Sequence, residues 1–128
     1  MADKKIRVLE IAEDEDMLLK VMSSQFDRKE FDVLTATDGE QGLAVALSKH
    51  PDLILLDLLM PKMDGITMLK HLREDSWGKN VPVIILTAFK DVNHINEVAK
   101  FGVTDYLVKS DFQLSEIVEK VKQKLGMK

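Results

Sequence analysis

Short apolar runs alternate with amphipathic stretches along the whole chain. The runs are too short for buried helices and are bounded by polar residues, proline or glycine, so they predict strands. Between and after them, apolar residues recur at three- and four-residue spacings, which is typical of helices packed on a sheet. The predicted strands span residues 5–12, 31–36, 53–57, 81–86 and 104–108. The predicted helices begin near Met17, Asp38, Asp64, Asp91 and Leu114.

This alternation predicts an α/β fold: a doubly wound, five-stranded parallel sheet with helices on both faces. The first, third and fourth strands are the most hydrophobic, so we expect them in the middle of the sheet. The second and fifth strands are more polar, which is typical of sheet edges. A strand order of 2-1-3-4-5 satisfies both expectations and is the order of flavodoxin-like sheets.

Local signals refine two of the helices. Asp38 and Gln41 have the spacing of a capping box, which predicts the start of the second helix. Asp91 is expected to cap the fourth helix, and Gly102 is expected to end it. Three residues of that fourth helix are expected to face the sheet: Val92, Ile95 and Ala99.

The composition is that of an ordinary globular domain, with 45% apolar and 31% charged residues in a chain of 128. The net charge of −4 does not favour nonspecific contact with nucleic acid. The chain has no cysteine, which excludes disulfides and thiolate chemistry. The sequence shows neither a signal-peptide pattern nor an apolar run long enough to insert in a membrane. We therefore expect one cytoplasmic domain over residues 1–128.

Polar residues stand at or just past the predicted strand ends, and we expect them to meet at one rim of the sheet. They are Glu13, Asp14, Asp57, Thr87 and Lys109. Open parallel sheets bind ligands beyond the carboxyl ends of their strands. Neighbouring carboxylates favour a bound cation, and oxygen ligands select Mg²⁺, Mn²⁺ or Ca²⁺ over Zn²⁺, with Mg²⁺ suiting a shallow rim best. A cation, a carboxylate, a lysine and a hydroxyl together suit phosphoryl transfer onto the carboxylate.

The pattern resembles the receiver domain of two-component response regulators, in a single-domain form similar to the chemotaxis regulators. The matching residues follow the family's order along the whole chain: Glu13-Asp14, Asp57 with Met60-Pro61 and Gly65, Thr87-Ala88, and Asp105-Tyr106-Leu107 with Lys109. The resemblance implies the flavodoxin-like receiver fold without an output domain. It also implies signal transduction through a phosphorelay, with a sensor histidine kinase or a histidine phosphotransfer protein as the phosphoryl donor.

The resemblance assigns roles at the acidic end of the site. Asp57 is expected to be the phosphoacceptor. Asp14, Asp57 and the backbone carbonyl of Leu59 are expected to bind Mg²⁺, with Glu13 assisting through water and Mn²⁺ as an alternative ion. The receiver is expected to catalyse its own aspartyl phosphorylation and dephosphorylation while serving primarily as a switch.

The resemblance also assigns the switch. Lys109 is expected to hold the phosphoryl oxygens, Thr87 to close on them, and Tyr106 to turn inward when Thr87 moves. A phosphoryl group brings roughly −1.5 to −2 charges, which is the physical trigger. The downstream partner is expected to be a protein that binds the face of helix 4, strand 5 and helix 5. Leu59 and Phe89 occupy positions that tune dephosphorylation in this family.

Two features depart from the commonest family pattern. Glu13 stands where aspartate is frequent, and a longer side chain changes its reach to a metal. Ser110 stands where the family usually has a proline after a cis bond, and a cis bond before a residue other than proline costs about 2.5–4 kcal/mol. We therefore expect either a trans bond with a reshaped loop or a costly cis bond. Ser110 with Gln113 is a candidate cap for the last helix.

Three alternatives remain open from the sequence. A phosphatase of the haloacid dehalogenase type also forms an aspartyl phosphate, but it needs a second aspartate where this chain has Leu59. An FMN-binding flavodoxin-like carrier needs a phosphate-accepting first loop, which the acidic segment 13–16 would repel. The chain could also be an isolated receiver cut from a longer regulator.

Overall fold

A computed structural model describes residues 6–88, 92–111 and 113–128 of the chain. The strands are β1 (Arg7–Ala12), β2 (Phe31–Ala36), β3 (Leu53–Asp57), β4 (Val83–Thr87) and β5 (Asp105–Val108). The helices are α1 (Asp16–Ser24), α2 (Gly39–Lys49), α3 (Gly65–Glu74), α4 (Val92–Ala99) and α5 (Leu114–Lys124). All five predicted strands are therefore present, with bounds within two residues of those predicted. Within these ranges no helix is long and apolar enough to cross a membrane.

The strands form one parallel sheet in the order β2-β1-β3-β4-β5, which confirms the predicted fold class. The central strands β3 and β4 bury every residue, because helices cover both of their faces. The edge strands β2 and β5 are only partly buried, as their more polar sequences predicted. The carboxyl ends of β1, β3, β4 and β5 consequently meet at one rim.

Two apolar layers hold the helices against the sheet. One layer joins the sheet to α2, α3 and α4 through buried residues such as Ala46, Met68 and Val98. The other joins the opposite face to α1 and α5 through residues such as Met22 and Ile117. Successive strand residues point to opposite faces, so each central strand contributes to both layers.

Aspartate caps begin α2 and α3, as predicted. Asp38 accepts a hydrogen bond from the Gln41 amide at 2.7 Å, and Asp64 accepts one from the Thr67 amide at 2.8 Å. The Gln41 side chain does not complete the predicted capping box at Asp38. It accepts instead from the Thr37 amide at 2.8 Å, one residue earlier.

The predicted inward face of α4 is partly wrong. Val92 is 68% exposed and Ala99 is exposed, whereas Val98 is buried and Ile95 is half-buried. Among the described residues of this short helix, Val98 is the one that is buried in the apolar layer. Gly102 follows the helix with a φ of +78°, which confirms its role as the stop. The predicted cap at Asp91 lies outside the described residues.

Candidate functional site

Three carboxylates meet at the rim where β1 and β3 end. Asp57 is the last residue of β3, and Glu13 and Asp14 follow β1 directly. One oxygen of each lies within 4.8 Å of the others, with Glu13 and Asp57 buried and Asp14 exposed. Three negative charges this close repel one another unless a cation or a proton offsets them. The predicted acidic cluster is therefore present, and its all-oxygen ligand set fits a hard divalent cation.

Lys109 supplies the positive charge of the site. Its amine lies 2.8 Å from Glu13 Oε1 and 3.1 Å from Asp57 Oδ2. The Lys109 amide donates to the Thr87 carbonyl at 2.7 Å, which fixes the residue just past β5 beside the end of β4. Burial alone would lower the pKa of Lys109, but the two carboxylates outweigh it and hold that pKa above 10.5. The lysine is therefore charged at neutral pH.

Burial has the opposite effect on Asp57. Loss of hydration and repulsion by Glu13 raise the pKa of Asp57 from 3.8 to about 7. Lys109 and the Leu59 amide, which donates to Asp57 Oδ1 at 3.2 Å, oppose this rise. A carboxylate poised between its charged and neutral forms responds strongly to any cation that binds beside it.

Both carboxylate oxygens of Glu13 already contact other groups of the protein. Oε1 faces Lys109, and Oε2 accepts a hydrogen bond from the Glu15 amide at 3.0 Å. The side chain is fully buried. Its oxygens are therefore less available to an ion than those of the exposed Asp14.

The loop after Asp57 is tightly folded against the strand. A Cβ at Gly65 would lie 2.3 Å from the Asp57 carbonyl oxygen, so only glycine fits there. The Gly65 amide donates to the Leu58 carbonyl at 2.9 Å. Leu59 is 56% exposed, and its amide donates to Asp57 Oδ1 at 3.2 Å, which places its backbone beside the acidic cluster.

Thr87 and Tyr106 lie on the α4 side of the rim. Thr87 ends β4 and is 8% exposed, and Tyr106 is half-buried in β5. Both residues line a cavity of about 10 Å³, together with Leu58, Ile85, His94, Ile95 and Val98. That volume holds roughly one water molecule. The two predicted switch residues therefore share a boundary, but the space between them is smaller than a phenol ring.

The turn after Lys109 shows how the chain accommodates Ser110 where the family usually has proline. The Lys109–Ser110 peptide bond is trans. Ser110 does not cap α5: its hydroxyl donates to Asp111 Oδ1 at 3.2 Å, and the Asp111 amide donates to the Val108 carbonyl at 2.9 Å. Residues 109–111 are thus used in a turn of their own. The helix begins later, where the Gln113 amide donates to Glu116 Oε1 at 2.9 Å.

Two residues of interest were missed by the sequence reasoning. His94 was not assigned to the site but borders the cavity beside Thr87 and Tyr106, and nothing in its sequence context signals that position. Glu10 lies fully buried within β1. The sequence signal for this burial is a charged residue inside the apolar run of the first strand. Phe89, expected to tune dephosphorylation, lies outside the described residues.

Known proteins match this sequence and this fold. The family model described as the response regulator receiver domain matches residues 9–122. The chain is 37% identical over 109 residues to the probable transcriptional regulator ycf27 of Porphyridium aerugineum, which covers 85% of this chain and 43% of that protein. It spans less than half the length of this and other curated relatives.

Solved structures agree with the sequence match. The receiver domain of the Francisella response regulator 1452 superposes with a TM-score of 0.81 at 32% identity, over 91% of this chain and 94% of that one. The receiver domain of the sensor histidine kinase PA1611 from Pseudomonas aeruginosa PAO1 gives 0.84 at 25% identity, over 95% and 99%. That structure contains a magnesium ion coordinated in the active site cleft.

The chain belongs to the response regulator receiver domain family. It is a phosphoacceptor signalling domain of the two-component type, related to response regulators that include CheY-like proteins. This class excludes the phosphatase and the FMN carrier that the sequence had left open.

Proposed function

We propose that Asp57 accepts a phosphoryl group from the phosphohistidine of a sensor histidine kinase or a histidine phosphotransfer protein. The observation that carries the proposal is the buried carboxylate of Asp57 at the end of β3. This carboxylate lies 3.1 Å from the amine of Lys109. Negative charge accumulates as a carboxylate approaches a phosphoryl group, so a fixed cation beside it favours the reaction. The same groups serve the later hydrolysis, and the domain acts primarily as a switch.

Mg²⁺ is the proposed cofactor, with Mn²⁺ as a substitute. Asp14, Asp57 and the backbone carbonyl of Leu59 would hold the ion, and Glu13 would assist through water. The commitment of Glu13 to Lys109 and to the Glu15 amide supports that indirect role. A bound ion supplies positive charge that offsets the carboxylates and the phosphoryl oxygens. The magnesium ion in the PA1611 receiver domain supports the same choice here.

Thr87 and Tyr106 are the proposed switch residues. Lys109 and the Thr87 hydroxyl would engage the new phosphoryl oxygens, which draws Thr87 toward Asp57. The present cavity is too small for the Tyr106 ring, so an inward turn of Tyr106 depends on that movement and on adjustment of α4. The proposed output face consists of α4, β5 and α5. Its proposed partner is another protein, and this domain itself would not contact nucleic acid directly.

Phosphorylation with acetyl phosphate and Mg²⁺, read by intact mass, tests the acceptor. We expect wild-type protein to gain one phosphoryl group and the Asp57→Asn variant to gain none, because an amide cannot form the acyl phosphate. The matched control is Asp32→Asn, which removes an exposed carboxylate on β2 and should label like wild type. Labelling that survives Asp57→Asn, or a wild type that never labels, contradicts the proposal.

A further inference from the structure

Glu10 is a buried acid that the phosphorylation chemistry does not use. It lies within β1 with no solvent-exposed surface. Neither carboxylate oxygen has a hydrogen-bond partner in the described part of the chain. Burial of an unpaired charge costs far more than burial of a neutral acid, so the native environment favours the protonated form.

The side chain of Glu10 lies on the sheet face that α2 and α3 cover. Ala12, two residues later on the same face, belongs to the apolar layer that contains α2 residues, while Leu9 and Ile11 belong to the other layer. A Cβ at Gly42 would lie 3.4 Å from the Ala12 Cβ, so α2 crosses the strand there. The four residues from Gly42 to Ala46 advance about 6 Å along the helix, and two strand residues span about 6.6 Å. Ala46 is therefore brought close to Glu10.

Small residues attach α2 to the sheet. Its buried positions are Gly39, Gly42 and Ala46, and Leu43 packs half-buried against the same layer, whereas α3 buries the larger side chains of Met68, Leu69 and Leu72. A helix held by so little apolar area separates from the sheet at a lower cost than the rest of the core. Its separation would expose Glu10 to water.

Charged groups on the surrounding elements do not neutralise Glu10. Its strand neighbours in register are Leu34 in β2 and Ile54 in β3, both apolar. Within the described ranges none of the titratable groups on the adjoining elements pairs with it: Arg7, Glu13, Asp32, Glu40, Lys49, His50, Asp52, Asp57, Lys70, His71, Arg73 and Glu74. Arg73, on α3, is instead occupied by the carbonyl oxygens of Gly78, Val81 and Phe101.

We propose that Glu10 makes the packing of α2 dependent on pH: the carboxyl stays protonated beneath α2, and separation of α2 from the sheet releases that proton to water. Higher pH favours release of the proton, so α2 is held more weakly on the sheet as the solution becomes more alkaline. The N-terminal residue of α2 carries the effect toward the site. A Cβ at Gly39 would lie 1.9 Å from the Met63 carbonyl oxygen, in the loop that follows Asp57.

The pH window follows from linkage. Burial raises the pKa of Glu10 from 4.5 to about 8 in the folded protein. The stabilising contribution of the neutral acid is fully present below about pH 4.5, is lost as the pH rises, and is gone by about pH 8. Within that window, one released proton changes the opening equilibrium about tenfold per pH unit.

Amide hydrogen exchange of α2 between about pH 5 and pH 7.5 tests the proposal. In wild-type protein we expect the protection factors of α2 to fall about tenfold per pH unit and to stay below those of β3. The Glu10→Gln variant, which has a neutral side chain of the same shape, should show no such slope. Asp32→Asn, which removes an exposed acid on the adjacent strand, should keep the wild-type slope.

Three results would overturn the proposal. The first is a wild type whose α2 protection factors do not change with pH, a result that needs no variant. The second is a Glu10→Gln variant that retains the wild-type slope. The third is equal protection of α2 and β3 at every pH, which would mean that α2 opens only when the whole domain unfolds.

Discussion

The sheet is packed very differently around β3 and around β5. All five residues of β3 are buried, whereas all four residues of β5 are half-buried. The helix that follows β3 buries four residues against the sheet, while α4 buries Val98 alone among its described residues. Regions with few buried apolar contacts rearrange at low free-energy cost. The proposed acceptor therefore lies in the rigid region. Of the two proposed switch residues, Thr87 ends the buried strand β4 and Tyr106 lies in the pliable region.

Among the described residues, the side chains of Lys109 and Arg73 connect these two regions. Lys109 reaches from the end of β5 to Asp57 and Glu13. Arg73, near the end of α3, donates to the Phe101 carbonyl at 2.8 Å, just past the C-terminal end of α4. The first contact links β5 to the acceptor, and the second holds one end of α4. Movement of α4 is consequently expected at its N-terminal end, beside the cavity of Thr87 and Tyr106.

Truncation of one leucine in each region gives the largest expected difference. Leu55→Ala in β3 should lower the free energy of unfolding by about 3 kcal/mol, because it leaves a cavity in a fully buried layer. Leu107→Ala in β5 should cost about 1 kcal/mol, because its side chain is only half-buried. Urea unfolding measures both variants. Equal losses would contradict the contrast between the regions.

Asp57→Asn should have an intermediate effect, of opposite sign. The folded-state pKa of Asp57 is raised from 3.8 to about 7, so its stabilising contribution is present below about pH 4 and is lost by about pH 7. At pH 8 the metal-free variant should be more stable than wild type by about 1–3 kcal/mol, and the difference should vanish near pH 4.

Mg²⁺ provides the control for this prediction. A saturating concentration should stabilise wild type by about 2–3 kcal/mol and should stabilise Asp57→Asn much less. Thermal unfolding at several pH values reads both effects. A variant less stable than wild type at pH 8 would mean that Lys109 outweighs burial and the repulsion by Glu13.

Thr87→Ala should have the smallest effect on stability, about 1 kcal/mol or less, but a specific effect on signalling. The variant should still gain a phosphoryl group, because Asp57 and Lys109 are intact. The ring signals of Tyr106, the single tyrosine, should no longer change on phosphorylation in NMR spectra. Ser115→Ala, an exposed hydroxyl on α5, is the matched control. If phosphorylation of Thr87→Ala still shifts the Tyr106 ring signals as in wild type, the proposed coupling between Thr87 and Tyr106 is wrong.

The predictions from sequence succeeded where a local pattern dictated the outcome. The apolar run ending in Asp57 could only be a buried strand, and Asp38 and Asp64 cap their helices through bonds to nearby amides. Predictions failed where distant packing decided. Val92 continues an amphipathic pattern, but it is 68% exposed at the start of α4, because no other described element covers it there. Ser110 has a side chain that could cap a helix, but in the turn at 109–111 its hydroxyl bonds to Asp111 instead.

By itself, the sequence determined the order of strands and helices, the parallel sheet and the set of residues at its rim. Hydrophobic period and strand polarity are local properties, and the right-handed crossover then leaves few topologies. Only the tertiary structure decided the electrostatics. The commitment of Glu13 to Lys109, the raised pKa of Asp57 and the unpaired carboxyl of Glu10 all depend on burial and on neighbours distant in the chain. Those quantities arise from desolvation and Coulomb interaction, which a linear pattern does not contain.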